Sequence, residues 1–182
     1  MPTDGSIISF RQSAPIYADS KSLFNSFRYR TYHSFSENLV GALKFYGAAI
    51  NSIGDEDVRI SKRLSLGRTL LRGFEPGKTG PKDGADYIGG NYATALNLEA
   101  ALPNILPEST ETDISLFMDF ANLWHVDYSS TVNDSNEIRS SVGVATNMYT
   151  PIGPLSFVIA QNLSKADTDE TQTINFQIGT SF

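Results

Sequence analysis

Cysteine is absent from the chain, so no disulfide framework and no thiolate metal site can form. Histidine is scarce as well: His33 and His125 stand alone, with no ligand spacing around either. No apolar run approaches the roughly 18 residues of a membrane-spanning helix, which excludes a helical membrane protein but not a barrel, whose strands need only about ten alternating residues. Long Lys/Arg runs are missing and the net charge is −6, so nucleic acid is not an expected partner. Met1-Pro2-Thr3-Asp4-Gly5 has neither the basic segment nor the apolar stretch of a secretory signal. What remains is a chain of 182 residues, enough for one domain with a sizeable core. Its 40% hydrophobic content and mean hydropathy of −0.20 would by themselves describe an ordinary soluble protein.

The pattern says more than the composition. Period-two alternation marks about eight strands, near residues 5–14, 21–34, 39–51, 90–102, 112–124, 136–149, 154–163 and 171–182. No segment keeps a helical period, so the expected class is all-β and antiparallel, in a single domain over 1–182. Residues 35–38 and 150–153 read as tight turns, whereas 52–89, 125–135 and 164–170 are longer and more polar. Alternating the strands up and down puts the two tight turns on one side and these long connections on the other. The 103–111 connection falls with the tight turns and is longer than that pattern wants. An outer-membrane barrel has this asymmetry.

Sorting each strand by face separates the chemistry. Phe27, Phe45, Leu98, Leu116, Phe157, Phe176 and Phe182 share one face; Arg11, Arg28, Arg30, Lys44, Asn97, Glu99, Asp119 and Arg139 share the other. No charged residue falls on the apolar face of a strand interior. A Lys or Arg there would cost about 2–4 kcal/mol at a bilayer midplane, so lipid contact explains the separation. A soluble sandwich with the apolar face turned inward would alternate in the same way. The small-residue-rich polar face and aromatic residues near strand ends favour the membrane barrel.

Leu71-Arg72-Gly73-Phe74 lies in the long Gly-rich connection, and two lone carboxylates, Glu99 and Asp119, follow it on polar faces. An arginine beside glycines is ordinarily solvated. Residues 62–91 as a whole, with a Gly80-Pro81 and a Gly89-Gly90-Asn91 after the arginine, resemble the long sixth external loop of the BamA family of bacterial outer-membrane assembly factors. Phe117-Met118-Asp119-Phe120, the Ile138-Arg139-Ser140-Ser141-Val142-Gly143 block with Thr150-Pro151-Ile152-Gly153, and the closing Asn175–Phe182 segment resemble the family's later strands in order and spacing.

The resemblance implies the C-terminal half of a transmembrane barrel, about half of sixteen strands. The loop would fold into the lumen, where Arg72 meets Asp119 with Glu99 nearby, Gly73 turns the tip and Phe74 wedges against the wall. Gly179, Phe176 and Phe182 would belong to a terminal strand that closes the barrel and opens laterally as a seam. The implied function is insertion of nascent outer-membrane β-barrel proteins into the lipid bilayer, with accessory assembly lipoproteins as partners. A secretion pore of the same superfamily, or a small passive structural barrel, is the alternative.

Neither an enzyme nor a cofactor is expected. Gly73-Phe74-Glu75-Pro76-Gly77-Lys78-Thr79 has three residues between its glycines where a phosphate loop needs four. His125, Asp127 and Ser129 are sequence neighbours in a polar loop, which does not make a triad. The family pattern is not complete: Ala121 stands where a glycine is expected after Asp119, and Gly67 is single where the family often has a pair. An eight-stranded closed barrel is filled by its own side chains and could not also admit residues 52–89. The sequence is therefore expected to be part of a larger chain, unless the loop lies outside.

Overall fold

The computed structural model describes residues 3–15, 21–107, 111–129, 132, 134, 136–150 and 153–178. Eight long strands form one antiparallel sheet: β1 (Gly5–Ser13), β2 (Ser22–Ser36), β3 (Leu39–Ser52), β6 (Tyr92–Leu102), β7 (Thr112–Trp124), β8 (Arg139–Thr150), β9 (Gly153–Ser164) and β10 (Ile174–Ile178). Neighbours in sequence are neighbours in space, apart from the short ribbon of β4 (Lys82–Asp83) and β5 (Asp86–Tyr87) inside the loop between β3 and β6. One 3-10 turn, Ile60–Lys62, also lies in that loop. Among the described residues β1 pairs only with β2, and β10 only with β9. The sheet is thus half of a barrel wall rather than a small barrel closed on itself.

Strand limits follow the alternation with few changes. β8 begins at Arg139 rather than 136, and β10 begins at Ile174 rather than 171. Residues 171 and 172 leave the sheet for a physical reason: Thr171 bridges to Phe74 of the loop and the Gln172 amide bonds the Gly73 carbonyl, instead of either pairing with β9. Residues 179–182, including Gly179 and Phe182, lie outside the described residues.

The two faces have inverted roles compared with a soluble protein. Phe27, Phe45, Leu98, Leu116, Phe157, Ile159 and Phe176 are each more than a third exposed on the apolar face. Fully burying a side chain of this size is worth roughly 1.5–3 kcal/mol, so a face carrying many of them needs an apolar covering. The polar face is the buried one: Asp119, Arg139 and Ser141 are 0% exposed and Asn97 is 4% exposed. What covers it is the loop between β3 and β6. Leu66, Leu71 and Phe74 of the loop form a core with Ala93, Ala95, Ala121 and Leu123 of β6 and β7. Alanines at these wall positions leave the depth that the loop fills. Ala95 sits directly opposite Ala121, and Asn97 opposite Asp119.

Candidate functional site

The loop of residues 53–91 is closed at its base and driven inward at its tip. Leu64 and Gly90 exchange backbone hydrogen bonds of 2.8 and 3.1 Å, which pins the two arms together. A turn with Leu70 and Leu71 amides on the Gly67 carbonyl then aims Arg72 at the wall. The Arg72 guanidinium meets the Asp119 carboxylate side-on: Nε donates to Oδ2 and Nη2 to Oδ1, both at 2.7 Å. The Arg72 backbone amide adds a bond to Oδ2 at 3.0 Å, and Asn97 Nδ2 donates to Oδ1 at 2.9 Å. Four donors therefore converge on one fully buried carboxylate.

The guanidinium also lies over the Phe117 ring, 3.7 Å from its centroid. A face-on cation of this kind adds about 0.5–2 kcal/mol, more as it is desolvated. Phe117 shares the polar face with Asp119 because the two stand two positions apart in a strand. Parity alone could have identified it.

Gly73 turns the tip with φ +84°, where a Cβ would come within 2.9 Å of Ala160 Cβ. Only glycine fits both the conformation and the space. Its carbonyl accepts from Asn162 Nδ2 at 2.8 Å and from the Gln172 amide at 3.0 Å, while the Arg72 carbonyl accepts from Ser141 Oγ at 2.6 Å. Phe74 is 3% exposed and Leu71 2%. The four-residue tip thus touches β6, β7, β8 and β9 at once, which requires the sheet to curve around it.

Glu99 lies near Arg72, as the resemblance implies, in the lining of the same cavity, but the cation it bonds is Lys44. Its Oε2 lies 2.6 Å from Lys44 Nζ. Lys44 stands opposite Asn97 on the adjoining strand, so the diagonal neighbour on the same face is Glu99. Alternation placed Glu99 on the correct face but could not supply this register. Below the tip lies a polar cavity of about 230 Å³, bounded by Lys44, Arg68, Glu99, Asn175 and Gln177 among others. Phe176 points the other way: it is 56% exposed and paired with Phe157 of β9.

The second buried ion pair escaped the sequence reading. Arg139 donates to Asp169 through Nε at 2.8 Å and Nη2 at 3.1 Å, with both side chains 0% exposed. Arg139 is on a polar strand face, but Asp169 is in a loop, where alternation says nothing. Other contacts knit the long loops together. Arg63 pairs with Asp127 at 3.4 Å, Tyr128 Oη donates to Asp83 Oδ2 at 2.5 Å, and Tyr87 Oη donates to the Thr168 carbonyl at 2.5 Å. Bonding to the Asp83 carboxylate raises the Tyr128 pKa. Lys78 Nζ bonds Glu170 Oε2 at 2.8 Å and Glu75 Oε1 at 3.1 Å, which raises the Lys78 pKa, Glu170 contributing first. The same bond to Lys78 lowers the Glu170 pKa. Among the described residues no cluster of three or more metal-ligating side chains occurs.

Comparison with known proteins follows this geometry. The family description "Omp85 superfamily domain" matches residues 1–182. The outer membrane protein assembly factor BamA of Neisseria meningitidis serogroup B is 31% identical over 139 residues, which is 62% of this chain and 17% of that protein. BamA of Neorickettsia risticii is 29% identical over 173 residues, 93% of this chain and 23% of that protein. The crystal structure of Haemophilus ducreyi BamA lacking POTRA domains 1–3 superposes with a TM-score of 0.86 at 28% identity, over 96% of this chain and 38% of that one. The chain thus spans about a fifth of the length of these curated relatives.

Proposed function

This chain belongs to the Omp85 superfamily, and we propose that it forms part of an outer-membrane assembly factor that folds and inserts β-barrel proteins. The observation that carries the reading is a loop braced against the polar face of a sheet whose apolar face is exposed. Arg72 and Asp119 hold the loop there, while Phe27, Leu116 and Phe176 stand exposed on the other face. In this reading the last strand parts from its neighbour as a seam, and an edge opened in that way presents a row of unpaired backbone N–H and C=O groups. A nascent strand can add to it through main-chain hydrogen bonds, without a fixed client sequence. The chemistry is therefore hydrogen-bond exchange and transfer into lipid, with no covalent step and no cofactor.

The partners are nascent outer-membrane β-barrel proteins, the lipid bilayer against the apolar face, and accessory assembly lipoproteins. In this reading the inserted loop keeps the wall in shape while the edge is open, so the wall does not collapse onto the lumen. The test is client insertion by the full-length protein in lipid vesicles, wild type against Arg72→Ala. The variant is expected to insert clients several-fold more slowly and to lose protease protection of residues 68–74. Wild-type insertion with full loop protection in Arg72→Ala would overturn the reading.

A further inference from the structure

The segment before β10 changes partner partway along. Below, Ile174 to Ile178 pair with β9, and the Ala160 amide bonds the Thr173 carbonyl at 2.8 Å. Above, the chain pairs with the inserted loop instead. The Gln172 amide donates to the Gly73 carbonyl, the Glu75 amide to the Glu170 carbonyl and the Glu170 amide to the Lys78 carbonyl, each at 3.0 Å. Phe74 and Thr171 form a bridge within this short ladder.

One buried carboxylate fixes the upper end of the ladder. Asp169 accepts from Arg139, as described, and also from the Ala166 amide at 2.8 Å and the Gly80 amide at 3.2 Å. Arg139 in turn donates through Nη1 to Asn122 Oδ1 at 3.0 Å and to the Glu137 carbonyl at 2.8 Å. The pair therefore ties β7, β8, the returning arm of the loop and the approach to β10 into one unit. Separating such a pair strands an uncompensated buried charge.

We infer that Asp169 and Arg139 are positioning residues which, with the loop, hold the start of β10 fixed. Residues 169–172 thereby stay in place, and Ile174–Ile178 run on from them along β9. Any role of β10 in client assembly rests on the function proposed above; the anchor itself does not.

The experiment uses the full-length protein in lipid vesicles. Asp169→Asn keeps the size of the side chain and removes its charge. Amide exchange at Glu170 and Gln172 should accelerate by about ten-fold or more, while Val144 in β8 keeps its wild-type rate. Client insertion should slow in parallel. These residues contain no native cysteine, so Glu75→Cys with Glu170→Cys can clamp the ladder covalently. The oxidised clamp should leave insertion intact in the otherwise wild-type protein and restore it in Asp169→Asn. A clamp that stops insertion until reduced would overturn the inference, because the ladder would then have to open. A clamp that fails to rescue Asp169→Asn would overturn it too, assigning Asp169 to folding alone. Should the wild-type protein insert no client, the proposed function fails and the exchange rates decide the anchor by themselves.

Discussion

Two stretches of the same polar face behave in opposite ways. Around the loop tip, across β6 to β9, the face is buried: Asp119, Arg139 and Ser141 have no exposure, and the two charges among them are paired. Across β1 and β2 the face carries Arg11, Arg28 and Arg30, all exposed and none in an ion pair among the described residues. Both stretches alternate alike, so composition does not make the difference. The loop does. Where it lies against the wall, water is excluded and each charge must be matched; it does not reach Arg11, Arg28 and Arg30.

Asp119→Ala should break this contrast with the largest effect. It leaves the Arg72 guanidinium, 14% exposed, without its carboxylate. Losing one member of an enclosed pair costs about 3–5 kcal/mol. The loop should detach before the sheet melts, read as protease cleavage after Arg68 or Arg72 and a lowered unfolding midpoint of the full-length protein. A loss below about 1 kcal/mol would mean that the braced wall is no drier than the bare one.

Arg28→Ala is the matching change on the bare wall. Its guanidinium lies 5.2 Å from the Tyr46 ring centroid, and an exposed contact of this type is worth about 0.5–1 kcal/mol. The same unfolding measurement should therefore move by about 0.5 kcal/mol. A loss as large as that of Asp119→Ala would show that β2 hides a partner and that the comparison is wrong.

Much of the braced wall was legible before the structure. Period two fixes which residues share a face, and that put Asp119 and Arg139 on one face and Phe176 on the other. Neighbours across strands need the register, and register depends on connections whose geometry the pattern does not encode. Glu99 shows the cost: its face was clear, but its ion pair with Lys44 was not. Asp169 and Asp127 were invisible for another reason. They sit in loops, where no repeat restricts direction, and their partners are fixed only once the long loops pack on one another. Residues 171 and 172 read as strand because their alternation is sound, yet the inserted loop had taken the place of β9.

The smallest expected effect lies at the rim, where the loop meets the chain before β10 through Lys78 and Glu170. Both side chains are more than two-fifths exposed, so this clasp sharpens the comparison from its wet side. Glu170 is held below the usual carboxylate range by Lys78, so its contribution is present above that range and lost as pH falls through the lowered value. Lys78 is raised, so its contribution is complete below its usual value and lost as pH climbs through the raised one. Protection of the Glu75 amide, which donates to the Glu170 carbonyl, should therefore be flat around neutrality and decline in acid and again in strong alkali. Added salt should weaken the clasp at neutral pH, since exposed charges are screened over about 8–10 Å at physiological ionic strength. The Arg139–Asp169 pair, one residue along the chain from Glu170, has no exposure and should ignore the same salt. If the Glu75 amide keeps its full protection in acid and in salt, the ladder is held by Asp169 and the backbone alone, and the clasp contributes nothing to it.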